Sequence, residues 1–200
     1  LRVHAQNLLQ AGTEQERRAS LESLILGVDR AGRLVNQLLT MARLEPKSNP
    51  PPLQRIDLSE TVRNSLVQLT PWLLSKHLEL AFEESDRPAY VLASPTALEI
   101  ALGNLMTNAA NFSPDNGVIT VKLSRTKGFC HLIVEDQGPG IEEADRARLF
   151  ERFYSRGNAQ GAGLGLTIVN TIATQLGGRI TLVNRAEGGL RATLSIPSQS

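Results

Sequence analysis

Between residues 13 and 45, apolar side chains recur at spacings of three and four. Leu21, Leu24, Val28, Ala31, Val35, Leu38 and Ala42 make the seam. That period puts them on one side of a helix and predicts a single long element carrying a heptad stripe. Ile25, Leu34 and Leu39 flank the seam. A stripe of that width suits a bundle of more than two helices. Thr13 and Glu16 form a capping-box pattern at the start, where hydroxyl and carboxylate satisfy orphan amides, and Pro46 ends the element. Upstream, Leu1, Ala5, Leu8 and Leu9 share one side of what reads as the tail of a preceding helix. Ala11-Gly12 would turn it into an antiparallel hairpin. Such a hairpin either packs on its own domain or supplies half of a dimeric four-helix bundle.

Residues 46–52, rich in proline, read as a stiff linker. Beyond it the period keeps changing. Asp57-Leu-Ser-Glu60 is a second capping-box pattern, opening a helix to about Leu74, and Leu78, Leu80 and Phe82 alternate as a strand beginning near His77. Ser94-Pro95 is an N-cap and first-turn pair for a helix through about Ala110. Ile119, Val121 and Leu123, then Cys130, Leu132 and Val134, predict two strands around Lys127-Gly128. Helices are expected from about Glu142 to Phe150 and from about Gly163 to Leu176, the latter stopped by Gly177-Gly178. Ile180–Arg185 and Leu190–Ile196 close the chain as a hairpin around Glu187-Gly-Gly189. Amphipathic helices with mostly antiparallel strands predict an α+β fold, a two-layer α/β sandwich. The expected domains are a hairpin at 1–45, a linker at 46–52 and the sandwich at 53–200.

Composition changes this picture little. The chain has 200 residues, 41% hydrophobic and 20% charged, so it is expected to fold. Its net charge of +1 offers no argument for nucleic acid. Cys130 is the only cysteine, which excludes an internal disulfide and a multi-cysteine zinc site. No apolar run is long enough to span a bilayer. The chain begins at Leu1 inside a helical pattern, and is expected to be a piece of a longer protein.

Candidate chemistry gathers in four segments: Asn104-Leu-Met-Thr-Asn108-Ala-Ala-Asn111-Phe112, Asp136-Gln-Gly138-Pro-Gly140, Phe150-Glu-Arg-Phe153-Tyr154 and Gly161-Ala-Gly163-Leu164-Gly165-Leu166. Asn104 and Asn108 share a helix face, and carboxamide oxygens are hard ligands suited to Mg²⁺ beside phosphates. Asp136 closes a strand before two glycines; a carboxylate there accepts from an amino group while the glycines admit a ligand to the backbone. Gly161, Gly163 and Gly165 lead into a helix whose N-terminus favours phosphate. Each segment alone also has a bland reading as helix surface, turn, core aromatic or close packing. The P-loop and protein-kinase signatures are absent, and the glycine spacing at 161–165 is not that of a dinucleotide fold.

In this order the four segments resemble the N, G1, F and G2 boxes of sensor histidine kinases, whose ATP-binding domain is of the GHKL (Bergerat) type. The resemblance covers essentially the whole chain, since Arg30-Ala-Gly-Arg-Leu-Val-Asn-Gln-Leu-Leu is similar to the second helix of the dimerisation and phosphotransfer domain. It implies ATP and Mg²⁺ as cofactors, with Asn108 as metal ligand. It also implies a nucleotide site of Asn104, Asn108, Asn111, Phe112, Asp136, Gly138, Gly140, Phe150, Phe153, Tyr154, Arg156, Gly161, Gly163, Leu164, Gly165 and Leu166, with a short lid at 155–162. Partners implied are a second copy through the hairpin and a response-regulator receiver domain; no nucleic acid is expected. The implied location is the cytoplasmic part of a bacterial inner-membrane protein. Two departures stand out. Asn111 occupies the place of a usual Lys or Arg, and Ser155 that of a usual basic residue, with Arg152 and Arg156 beside it as replacements.

The family's phosphoacceptor opens a His-Glu/Asp-x-x-x-Pro motif. None of His4, His77 and His131 has that sequel, so the acceptor is expected upstream of Leu1 and the chain is expected not to phosphorylate itself. Rival readings are another GHKL-fold ATPase, which would use a glutamate on the first box, or a non-catalytic nucleotide-binding dimerisation module. Glu99, five residues before Asn104, falls off that face.

Overall fold

The computed structural model describes Val3, Gln6, Leu9, Gly12–Leu44, Pro52–Glu84, Ala89–Tyr154 and Gly163–Gln199, without the side chains of Asp29, Arg30 and Arg33. The chain divides into two compact units, Leu1–Glu45 and Pro46–Ser200.

The first unit is dominated by α1, Glu14–Arg43. Its start is the expected reciprocal cap. Thr13 Oγ1 accepts the Glu16 amide at 3.2 Å, and Glu16 Oε2 accepts the amides of Thr13 at 3.2 Å and Gly12 at 2.9 Å. One first-turn donor and the two amides just before the helix thereby gain partners that the helix itself cannot provide. Val3, Gln6 and Leu9 carry helical backbone, while Ala11 of the expected turn and the linker at 46–51 lie outside the described residues.

The second unit holds β1 Gln54–Asp57, α2 Leu58–Ser75, β2 Glu79–Glu83, β3 Tyr90–Ala93, α3 Pro95–Phe112, β4 Val118–Thr126, β5 Phe129–Glu135, a 3₁₀ turn Glu143–Arg148, α4 Gly165–Gln175, β6 Arg179–Asn184 and β7 Leu190–Pro197. Five strands form one sheet in the order β2-β4-β5-β7-β6, parallel only between β2 and β4. The alternation read from the sequence becomes the burial pattern. Ile119, Val121, Leu132, Leu194 and Ile196 point into the core with Leu102, Leu105, Met106, Ile168 and Ile172 of the helices. A separate antiparallel ribbon joins β1 to β3.

Several expectations need correction. The segment near Glu142–Phe150 is a 3₁₀ turn, not an α-helix; none of its residues is buried, so no apolar face holds it to the core. His77 sits in a turn with φ 56°, and β2 begins at Glu79. Ser94 makes no side-chain cap bond to α3; Pro95 at the first turn has no amide to satisfy there. Asp57 caps α2 through the Ser59 amide at 2.9 Å, one residue short of the capping-box position. β1 and β3, four residues each, carry too little periodicity to stand out in the sequence.

Candidate functional site

Helix α3 brings two parts of the candidate site together. Asn104 and Asn108 lie one turn apart on it, both half-buried. Asn104 Nδ2 donates to the Ile100 carbonyl at 2.8 Å, which turns its carboxamide oxygen toward the start of α4. A Cβ on Gly165 would lie 3.1 Å from Asn104 Oδ1 and 3.6 Å from Asn108 Oδ1. Both oxygens therefore face the N-terminus of α4, where no side chain caps the helix. Unsatisfied amides and the helix dipole make such a place favourable to an anion.

Hard neutral oxygens next to a phosphate-favouring helix end suit Mg²⁺, which keeps several waters and takes few protein ligands. Among the described residues no group of three or more His, Cys, Asp and Glu could hold a metal ion.

The far end of α3 meets the loop after β5. Phe112 is partly exposed, and its carbonyl would stand 2.6 Å from a Cβ on Gly138, which only glycine avoids. Asn111 lies half-buried on the same last turn.

Asp136 is 6% exposed, one of five buried polar residues among those described. Its Oδ1 accepts the Gly138 amide at 2.9 Å and the Leu190 amide at 3.0 Å. Both bonds fall on one oxygen, so the carboxylate is oriented and Oδ2 is the oxygen left for a ligand. Burial pushes this carboxyl above its ordinary range, against the pull of those two amides and of Arg185. Next to it Glu135 shows the opposite balance. Burial pushes it up, but Arg191 and Lys122 outweigh burial and hold it low.

A third group converges on the start of α4. The Phe153 amide donates to the Gly163 carbonyl at 3.0 Å, and Thr167 Oγ1 donates to the Phe150 carbonyl at 3.0 Å. Gly163 has φ 68°, and a Cβ there would be 2.5 Å from Phe153 and Tyr154 backbone atoms. Tyr154 donates to Asp145 Oδ1 at 2.5 Å, and the Arg148 guanidinium covers its ring at 4.3 Å. Leu164 is buried beneath the helix start and Leu166 is half-buried. Phe153 itself is exposed, with φ 65°. Arg156, Gly161 and the expected lid lie outside the described residues.

Residues outside the four segments' candidate chemistry hold the loop after β5. Arg185 Nη1 donates to the Asp136 carbonyl at 2.7 Å, and Gln137 Oε1 accepts the Val118 amide at 2.9 Å. Asn184 bonds Ile141. The only sequence signal for them was the glycine pair Gly188-Gly189 that follows. His131 lies mid-strand, bonded to Ser195 Oγ at 2.9 Å and Thr126 Oγ1 at 2.8 Å, and burial lowers its pKa. Glu99 is exposed on α3, while the two asparagines are half-buried.

Residues 93–200 match the model of the family described as Histidine kinase-, DNA gyrase B-, and HSP90-like ATPase. The swarming motility regulation sensor protein RssA of Serratia marcescens is 32% identical over 86% of this chain and 37% of its own length. The sensor protein CreC of Escherichia coli is 37% identical over 82% of this chain and 34% of its own. The chain thus spans well under half of each. The crystal structure of full-length ShkA in complex with AMPPNP superposes with a TM-score of 0.76 at 28% identity, covering 98% of this chain and 42% of that one.

Proposed function

This chain belongs to the Histidine kinase-, DNA gyrase B-, and HSP90-like ATPase family, and on that premise we propose that it is the ATP-binding catalytic core of a two-component sensor histidine kinase. The observation that carries the nucleotide reading is the buried, oriented carboxylate of Asp136. Its Oδ2 accepts the exocyclic amino group of adenine, while Gly138 and Gly140 keep the loop low enough for the base to approach. Asn104 and Asn108 hold Mg²⁺ on the phosphate side, Asn108 as ligand. When bound, the ion would neutralise charge on the β- and γ-phosphates. The amides at the start of α4, from Leu164 to Leu166, receive phosphate oxygens. Phe150, Phe153 and Tyr154 set the start of the segment that covers the nucleotide, and Arg156 replaces the displaced basic residue. AMPPNP in the ShkA complex supports this reading, as ShkA covers almost all of this chain.

In the parent protein the γ-phosphoryl group passes to a histidine and then to an aspartate on a response regulator. None of this chain's histidines fills that role. His131 is fixed within the sheet, His77 is in a turn, and His4 lies outside the described residues. The helical unit pairs with a second copy, and the protein sits at the bacterial inner membrane with this part in the cytoplasm. No helix among the described residues is long and apolar enough to cross a membrane.

The test is calorimetry of Mg-ADP binding to the chain and to Asp136→Asn. The two backbone amides hold the remaining oxygen inward, so the new amino group points at the amino group of adenine. Loss of a charged hydrogen bond costs roughly 1.5–3 kcal/mol, or about 10- to 150-fold in affinity. Unchanged binding would sink the adenine assignment.

A further inference from the structure

The turn between β6 and β7 grips the base-side loop from outside. Asn184 Oδ1 accepts the Ile141 amide at 2.8 Å, and Asn184 Nδ2 donates to the Ile141 carbonyl at 2.8 Å. One carboxamide thereby satisfies both backbone groups of a loop residue, as a neighbouring strand would. Gly140 lies against it with φ 73°, and a Cβ there would be 2.7 Å from Asn184 Oδ1. At the other end of the loop, Arg185 donates to the Asp136 carbonyl, and a Cβ on Gly189 would be 2.0 Å from that same oxygen. The hairpin therefore holds the loop at both ends, Asp136 and Ile141. Asn184 is itself exposed, so core burial does not explain an amide at this position.

We propose that Asn184 is a positioning residue for base recognition. Its carboxamide locks Ile141, which fixes Gly138–Gly140 at the height where the Gly138 amide orients Asp136. The inference rests on the adenine-nucleotide reading above. Without the clamp, the Gly138 amide that holds Asp136 Oδ1 shifts with its loop and the outward oxygen loses its aim. The phosphate side, built on α3 and α4, is untouched.

The experiment is calorimetry of the full chain with Mg-ADP and with Mg-IDP, whose base carries a carbonyl where adenine has its amino group. The unmodified chain should prefer ADP. Asn184→Ala should weaken ADP about 10-fold while leaving IDP unchanged, so that the preference falls toward one. Asn184→Asp keeps the acceptor for the Ile141 amide but cannot donate to its carbonyl. It should act in the same direction, and carries the test if the alanine variant does not fold. Melting temperature without nucleotide should shift little in either variant. If the unmodified chain binds neither nucleotide, or both alike, the adenine reading fails and this proposal falls with it. If it prefers ADP and the variants keep that preference, or lose both nucleotides equally, Asn184 does not position the base site.

Discussion

The helical unit and the α/β unit treat the same kind of side chain in opposite ways. On α1, Leu21, Ile25, Leu26, Val28, Val35, Leu38 and Leu39 are 45–65% exposed. In the α/β unit, Leu58, Leu73, Leu102, Ile119, Leu132, Ile168 and Leu194 are at most 1% exposed. Burial of a leucine-sized side chain is worth about 1.5–3 kcal/mol. The α/β unit collects that gain within one chain, through a sheet covered by three helices. The helix does not, although its cap is complete and its apolar period unbroken. Local structure can thus be fully specified while the apolar surface it presents stays exposed.

The largest expected effect concerns that stripe. Without residues 1–52 the chain should lose self-association entirely and still bind Mg-ADP. Sedimentation equilibrium of both forms reads this out. Equal dimerisation without the helix would move the interface into the α/β unit.

Single substitutions sharpen the contrast. Leu132→Ala removes a fully buried side chain and should cost about 2–5 kcal/mol in denaturant unfolding of the α/β unit. Leu38→Ala should leave that transition in place and instead weaken self-association. Similar unfolding costs for the two would mean that the seam is already buried in one chain.

A smaller effect is expected with pH. Burial raises Asp136, so the folded chain keeps that proton where the unfolded chain has released it. Its contribution to stability falls as pH rises through the window above the ordinary aspartate range. Burial also pushes Glu135 up, but Arg191 and Lys122 prevail and lower it. Its contribution is present above the ordinary glutamate range and is lost as pH falls through the lowered value. ADP affinity should follow Asp136 alone, dropping on acidification as the acceptor becomes a donor. Asp136→Asn should flatten that pH dependence and Glu135→Gln should not; calorimetry across pH values would show the reverse if the wrong carboxylate has been assigned to the base.

The sequence made the long-period features legible. The α1 heptad, the 118–135 hairpin and α3 all follow from spacing, and Thr13 with Glu16 forms the cap that their separation suggests. Asn104, Asn108, Asp136 and the glycines could be singled out because their chemistry is concentrated in short segments. Asn184 and Arg185 could not, because their roles arise from the pairing of β6 with β7 and from a loop more than forty residues away in sequence. The turn at Glu143–Arg148 deceived for a different reason. Its residues have good helix propensity but no buried face, and propensity without burial gave a 3₁₀ turn.

The most direct test of the account is an amide NMR titration of the whole chain with Mg-ADP. Resonances of Asn104–Phe112, Asp136–Ile141, Gly163–Leu166 and the β6–β7 turn should move together with a single affinity, while those of Leu21–Leu39 stay in place. Shifts confined to the helix, or none at the Asp136 loop, would contradict a nucleotide site built on that buried carboxylate.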